Sequence, residues 1–192
     1  MEEQIKTEKK RLRLMLRDLA QSLSDAYIER SDRGIREALL ALDVWKQAST
    51  VFIYVSVGRE PETRGIILAA LAAGKTVAVP RCLRGGEMEA RVIQSLDGLM
   101  PGPFGIPEPG AGHRLLPPQD IELAVAPCVA ADRQGFRLGH GGGYYDRYLA
   151  KVHCPAVCLC RARLLQNALP HDALDRPMDR VITEHDCVVF EK

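Results

Sequence analysis

A three-layer α/β/α fold with a largely parallel sheet, in one domain spanning 1–192, is what this sequence predicts. Three observations point there. Short β-branched apolar runs alternate along the chain with segments of helical periodicity. The length suits one domain with a substantial core. Polar and glycine-rich segments follow several of the strand-like runs, so they can converge on one sheet edge, where ligands sit in such folds.

The elements follow in order. Leu12, Met15, Leu16, Leu19 and Leu23 form the apolar stripe of a helix over 3–22. Lys6, Lys9, Lys10, Arg11, Arg13 and Arg17 fill much of the rest and read as a solvated face. Ser24 and Asp25 are caps for a second helix reaching about Gln47. Thr50 to Val55 is a strand, Thr63 to Ala73 a helix and Thr76 to Val79 a strand. Met88 to Ile93 is a strand after the Gly85-Gly86 turn, and 97–120, rich in proline and glycine, is an irregular loop. Leu123 to Ala126 is a strand that stops at Pro127. A helix is expected near 144–152, a strand at 156–160, a short helix near 161–167 and a last strand near 186–190.

The chemistry concentrates in Arg137-Leu138-Gly139-His140-Gly141-Gly142-Gly143-Tyr144-Tyr145-Asp146-Arg147. The glycines leave backbone N–H groups open to an anion, and a helix start at Tyr144 aims more of them at the same place. Arg137 and Arg147 add fixed charge, and Asp146 is a hard oxygen ligand. Together they suggest phosphate with a divalent cation. A dinucleotide fingerprint does not fit, because Tyr144 stands where its third glycine belongs. Gly74-Lys75-Thr76 imitates the end of a P-loop. Position 69 is alanine, however, and the order is helix then strand, so Gly74 reads as a helix C-cap.

The remaining bounds are bland. The formal net charge of +1 gives no argument for nucleic acid or an anionic membrane. No apolar run approaches the roughly 20 residues of a membrane span. The N-terminus lacks a signal-peptide core, and Glu2, Glu3 and Glu8 argue against a transit peptide. A cytoplasmic protein with reduced cysteines is expected. Cys154, Cys158 and Cys160 cluster near His153 but form no Cys-x-x-Cys, and 156–160 reads as a buried strand rather than a zinc site.

The glycine loop resembles the signature of the 5-formyltetrahydrofolate cyclo-ligase family, with matches at Arg137, Leu138, Gly139, Gly141, Gly143, Tyr144, Tyr145 and Asp146. Four further segments are similar to family landmarks, in family order: Lys9-Lys10-Arg11-Leu12-Arg13, Glu60-Pro61-Glu62-Thr63, Gly105-Ile106-Pro107-Glu108-Pro109, and Asp175 to Thr183. The resemblance implies a fold similar to ribose-5-phosphate isomerase and CoA-transferases. It also implies ATP- and Mg²⁺-dependent closure of 5-formyltetrahydrofolate to 5,10-methenyltetrahydrofolate. Transfer of the γ-phosphoryl group to the formyl oxygen makes that oxygen a leaving group, and the neighbouring anilino nitrogen then attacks the activated carbon.

Residue by residue, the resemblance implies Arg137, Tyr144 and Asp146 at the reacting centre. Lys9, Arg13, Arg137, Leu138, Gly139, His140, Gly141, Gly142, Gly143, Tyr144 and Tyr145 would hold ATP. Val57, Glu62, Phe104 and the loop from His140 to Tyr144 would hold the folate. Asp146 and Asp175 would hold Mg²⁺, with Asp179 as the alternative second ligand. His140 and Gly142 depart from the basic residues seen in some members, so the loop itself carries less charge. The partners expected are 5-formyltetrahydrofolate, free or polyglutamylated, and ATP, acting on a monomer with a dimer left open. A non-catalytic relative that buffers the folate is the alternative, and an RNA-binding relative is disfavoured by the absence of a basic patch.

Overall fold

The computed structural model describes residues 2–190. Met1, Glu191 and Lys192, which the expected span 1–192 includes, lie outside the described residues. The helices are α1 (Glu2–Ser22), α2 (Asp25–Ala41), α3 (Asp43–Gln47), α4 (Arg64–Ala72) and α5 (Tyr144–Leu149). The strands are β1 (Thr50–Ile53), β2 (Thr76–Cys82), β3 (Met88–Ile93), β4 (Met100–Pro101), β5 (Pro107–Glu108), β6 (Leu115–Leu116), β7 (Leu123–Ala126), β8 (Ala130–Asp132), β9 (Arg137–Leu138), β10 (Ala156–Leu159), β11 (Leu165–Gln166), β12 (Arg180–Ile182) and β13 (Cys187–Val189).

Eight strands form the main sheet in the order β13-β12-β10-β7-β1-β2-β3-β6. The sheet is mixed, which corrects the expectation of a largely parallel one. Its centre, β12 to β2, is parallel. Both edges are antiparallel. The cause is loop length. The connections from β2 to β3 and from β12 to β13 are too short for a crossover, so each strand can only fold back on its predecessor.

Pairing register sorts the side chains onto two faces. Phe52, Ala78, Ala124 and Cys158 join a core with Leu12 and Leu16 of α1 and with Tyr148 and Leu149. Val51, Ile53, Val77, Leu123 and Val157 join a second core with Ile35 and Leu39 of α2, Trp45 of α3, and Ile66 and Ile67 of α4. The first face carries many alanines, so α1 can lie close across it. Its buried contact is the narrow stripe Lys9, Leu12, Leu16. Met15 and Leu19, expected on that stripe, are exposed. Truncating fully buried Leu16 to alanine should cost about 2–5 kcal/mol.

Other boundaries differ. The expected second helix breaks at Leu42, whose extended ψ of 140° separates α2 from α3. Ser24 caps α2 through Tyr27 N as expected. The expected helix at 161–167 is one 3₁₀ turn, Ala162–Leu164, followed by β11. β8, β9 and β11 form a small separate sheet that carries the chain into the glycine loop. Buried Asp132 shapes its hairpin by accepting N–H bonds from Gln134, Phe136 and Leu169.

Candidate active site

Beyond the C-terminal ends of β1, β2 and β7 lies a cleft of about 1120 Å³. Each strand delivers residues to it: Tyr54, Val55 and Val57 after β1, Pro80 and Cys82 from β2, and Pro127 after β7. Two groups of side chains line it. Lys6, Lys9, Arg13 and Arg17 of α1 face the glycine loop and the 172–175 turn. Met88, Phe104, Ile106, Tyr144 and Pro80 form an apolar slot, with the Phe104 ring edge-on to Tyr144 at 5.7 Å.

The glycine loop is built for backbone approach. Gly141 has φ 104°, a region closed to side chains without strain. Among the described residues, the N–H groups of His140 to Gly143 donate to no protein acceptor. Cations of the cleft hold the loop's carbonyls: Arg13 Nε donates to Gly139 O at 2.7 Å, and the Arg147 guanidinium donates to Gly142 O at 2.7 Å and to Gly86 O. The carbonyls are thus occupied while the amides stay open, the combination an anion needs. The following helix is shorter than the expected 144–152, so the loop amides and the α1 cations carry most of the positive potential.

The charges come in pairs. Arg137, nearly buried, donates from Nη2 to Asp146 Oδ1 at 2.8 Å. Asp146 Oδ1 also accepts Arg176 N, and among the described residues Oδ2 has no protein donor. Lys9 bridges Asp172 at 3.0 Å and Asp175. Burial works against charge on Lys9, but the two carboxylates outweigh it and raise its pKa. The same ammonium lowers the pKa of Asp172. Arg13 is different. Burial and neighbouring Arg17 both push its pKa down, though a guanidinium stays charged. An anion arriving beside Arg13 would offset both penalties by its own attraction.

Most of the sequence-selected residues meet here. Lys9, Arg13, Val57, Phe104, Arg137, Leu138, Gly139, His140, Gly141, Gly142, Gly143, Tyr144, Tyr145, Asp146 and Asp175 all line the cleft. Glu62 does not. Its carboxylate accepts the N–H groups of Arg64 and Gly65, so it caps α4. Glu60 lines the cleft in its place, with Oε2 on Val57 N at 2.9 Å and Oε1 at 3.1 Å from His140 Nε2. Asp179 also lies elsewhere, where its carboxylate accepts Ala156 N at the head of β10. Lys75 donates to the carbonyls of Trp45, Lys46 and Ala48 and caps α3, which agrees with its dismissal as a phosphate lysine.

Two residues escaped the sequence reading. Arg17 reaches His140 Nδ1 at 3.2 Å, and its place four residues beyond Arg13 could have marked it. Arg161 is 1% exposed. It donates to the carbonyls of Arg59 and Glu60 and pairs with Asp32, fixing the loop that presents Glu60.

Fold and cleft together define an α/β protein whose cleft, walled on one side by cations and open amides, leads into an aromatic slot. Comparison with known proteins gives that class its family. The sequence profile of the 5-formyltetrahydrofolate cyclo-ligase family matches residues 5–184, and the chain belongs to that family. It is 31% identical over 192 residues to the Schizosaccharomyces pombe "Probable 5-formyltetrahydrofolate cyclo-ligase", covering 91% of this chain and 94% of that one. It is 27% identical over 183 residues to the Haemophilus influenzae 5-formyltetrahydrofolate cyclo-ligase, covering 92% and 94%. The solved structure of the Aquifex aeolicus 5,10-methenyltetrahydrofolate synthetase superposes with a TM-score of 0.84 at 29% identity, covering 94% of this chain and 92% of that one.

Proposed function

We propose that this chain is an enzyme that closes 5-formyltetrahydrofolate to 5,10-methenyltetrahydrofolate, using ATP and Mg²⁺ and releasing ADP and phosphate. Family membership supports the reaction. The observation that carries it to this chain is one cleft holding both an amide- and cation-lined anion site and an aromatic slot. Two ligands with those chemistries must react with each other, and only a shared cleft lets them.

The roles divide accordingly. Lys9, Arg13 and Arg17, with the amides of the glycine loop, hold the triphosphate. Val57, Phe104 and Tyr144 hold the flat rings of the folate and keep water from the formyl group. Glu60, rather than Glu62, supplies the carboxylate on the folate side. Arg137 and Asp146 sit beneath the loop where the transferred phosphoryl group would lie.

Among the described residues, no three His, Cys, Asp or Glu side chains group to hold a metal. The donor set nonetheless fits Mg²⁺, which takes one or two carboxylates and completes its shell with phosphate oxygens and water. Asp146 and Asp175 would hold it, each having one oxygen without a donor among the described residues. When bound, it offsets charge on the phosphates.

The family resemblance supports the finer fold likeness to ribose-5-phosphate isomerase and CoA-transferases. One functional unit over 1–192, cytoplasmic, working as a monomer with a dimer left open, on free or polyglutamylated substrate, completes the proposal. Absorbance in the methenyl product's band, followed with and without ATP and Mg²⁺, tests the reaction. One ADP per product is expected. Tight folate binding without ATP hydrolysis would establish the buffering alternative instead.

A further inference from the structure

Glu108 has no part in the scheme above, yet its setting is unusual. It is 7% exposed, it lines the cleft, and among the described residues it has no ion-pair partner. A buried carboxylate without a cation is costly unless its hydrogen bonds serve some end. Among the described residues its hydrogen-bond donor is the Cys82 N–H, 3.1 Å from Oε2. The Cys82 thiol lies near enough that burial and this carboxylate together raise its pKa. Gly102 lies bare against it, where a Cβ would overlap the carboxylate.

The surroundings show what those bonds hold. β4 and β5 pair only with each other, outside the eight-stranded sheet. Their turn is closed locally by Gly102 N to Ile106 O at 2.8 Å and Gly105 N to Gly102 O at 3.0 Å. Isolated two-stranded hairpins are marginal in water. At the tip stands Phe104, 61% exposed, held edge-on to Tyr144 over the cleft rim. Cys82 ends β2, a central strand of the rigid sheet. The Glu108–Cys82 bond is therefore the polar tie between a weak hairpin and a firm strand.

We propose that Glu108 is a positioning residue: by accepting the backbone N–H of Cys82 it pins the β4–β5 hairpin to the end of β2 and so holds Phe104 against Tyr144 at the aromatic slot. The inference rests on the reading of that slot as the folate side of the cleft. It acts through Phe104, so ATP binding at the opposite wall is not its target.

The test compares Glu108→Ala, Glu108→Gln, Phe104→Ala and the Glu108→Ala/Phe104→Ala double variant. Glu108→Ala should raise the KM for 5-formyltetrahydrofolate about 10-fold, equivalent to about 1.4 kcal/mol. The KM for ATP should stay within about twofold. Glu108→Gln should recover most of the loss, because its amide oxygen can still accept Cys82 N–H. The double variant should be no worse than the worse single, since both act through one contact. Amide hydrogen exchange over residues 100–108 supplies a readout that needs no turnover. It should quicken in Glu108→Ala, stay near wild type in Glu108→Gln, and leave β1, β2 and β7 unchanged. Unchanged exchange over 100–108 in Glu108→Ala overturns the proposal, as does a parallel rise in both KM values or additivity with Phe104→Ala. Wild-type protein without ATP-dependent turnover would sink the proposed reaction instead, while the exchange experiment would still decide the tie.

Discussion

Asp146→Asn separates two duties that the structure places on one carboxylate. Asp146 neutralises Arg137, whose side chain is 3% exposed, and it is a proposed Mg²⁺ ligand. Removing one partner of a fully buried ion pair costs about 3–5 kcal/mol. Two features reduce that here. The Asp146 side chain is 28% exposed, and an asparagine oxygen can still accept from Arg137 Nη2. The expected loss is therefore about 1–3 kcal/mol. In a chain of this size that is about 2–12 °C in Tm, at about 2–4 °C per kcal/mol. Turnover should collapse, and the Mg²⁺ needed for half-maximal rate should rise at least about tenfold, because a neutral amide is a poorer ligand for a hard cation. Thermal unfolding read alongside a Mg²⁺ titration of turnover measures both. The Arg137→Met/Asp146→Leu double variant should regain more than half of the lost Tm, since no unpaired charge remains, yet stay inactive. An Asp146→Asn enzyme with wild-type Tm and wild-type Mg²⁺ dependence would refute both assignments together.

Arg13→Ala removes a bond to Gly139 O and a cation from the anion wall. The apparent ATP affinity should fall about 10- to 150-fold, whereas exposed Lys10→Ala should leave it unchanged; equal losses would reduce the effect to general surface charge. Gly141→Ala should lower turnover nearly as severely as Gly141→Val, since at φ 104° the backbone rather than side-chain size is limiting, at about 1–3 kcal/mol of strain; a near-normal alanine variant would show that the loop tolerates a different path. The Cys82 thiol, pushed up to about 12 by burial and by its bond to Glu108, should resist iodoacetamide at pH 8, where on the order of one thiol in ten thousand would be ionised. The same shift sets a sign. The unfolded thiol ionises near pH 9 while the folded one stays protonated, so this contribution to stability is lost as pH rises between about 9 and 12. A Cys82→Ser variant should lose less Tm over pH 8–10.5 than the wild type does.

How much was legible depended on how local each signal was. The glycine loop carries its meaning in composition, and it lies where it was expected. Lys9 and Arg13 were found through a motif. Arg17 sat in the same charge run, and only its place one helical turn beyond Arg13 sets it apart from the solvated lysines. Glu60-Pro61-Glu62-Thr63 offers two carboxylates, and it is Glu60 rather than the expected Glu62 that lines the cleft. The deciding fact was the helix start: a carboxylate just ahead of Arg64 is claimed by the first free N–H groups of α4. The antiparallel edges were readable in principle, because both rest on short connections. Arg161 was not readable, since the carbonyls of Arg59 and Glu60 that it holds lie 102 and 101 residues away in sequence.

The pairing of charges in the cleft bears on why such a site would take a nucleotide and a metal together. Lys9 is bound to Asp172 and Asp175, and Arg137 to Asp146. These pairs keep cations in a partly buried cleft without a ligand, at a lower cost than bare charges would carry. A phosphate alone that drew Lys9 or Arg137 away would leave a carboxylate unpaired beside a new anion. A divalent cation alone would leave a lysine or arginine unpaired beside a new positive charge. Arriving together, phosphate and Mg²⁺ can divide the pairs between them, so neither sign is stranded. Among the described residues Arg13 has no ion-pair partner, and burial and Arg17 outweigh the attraction of Asp175 and push its pKa down. An anion at this point of the cationic wall offsets both, and the tie from Arg13 to Gly139 places it directly against the glycine loop with its open amides.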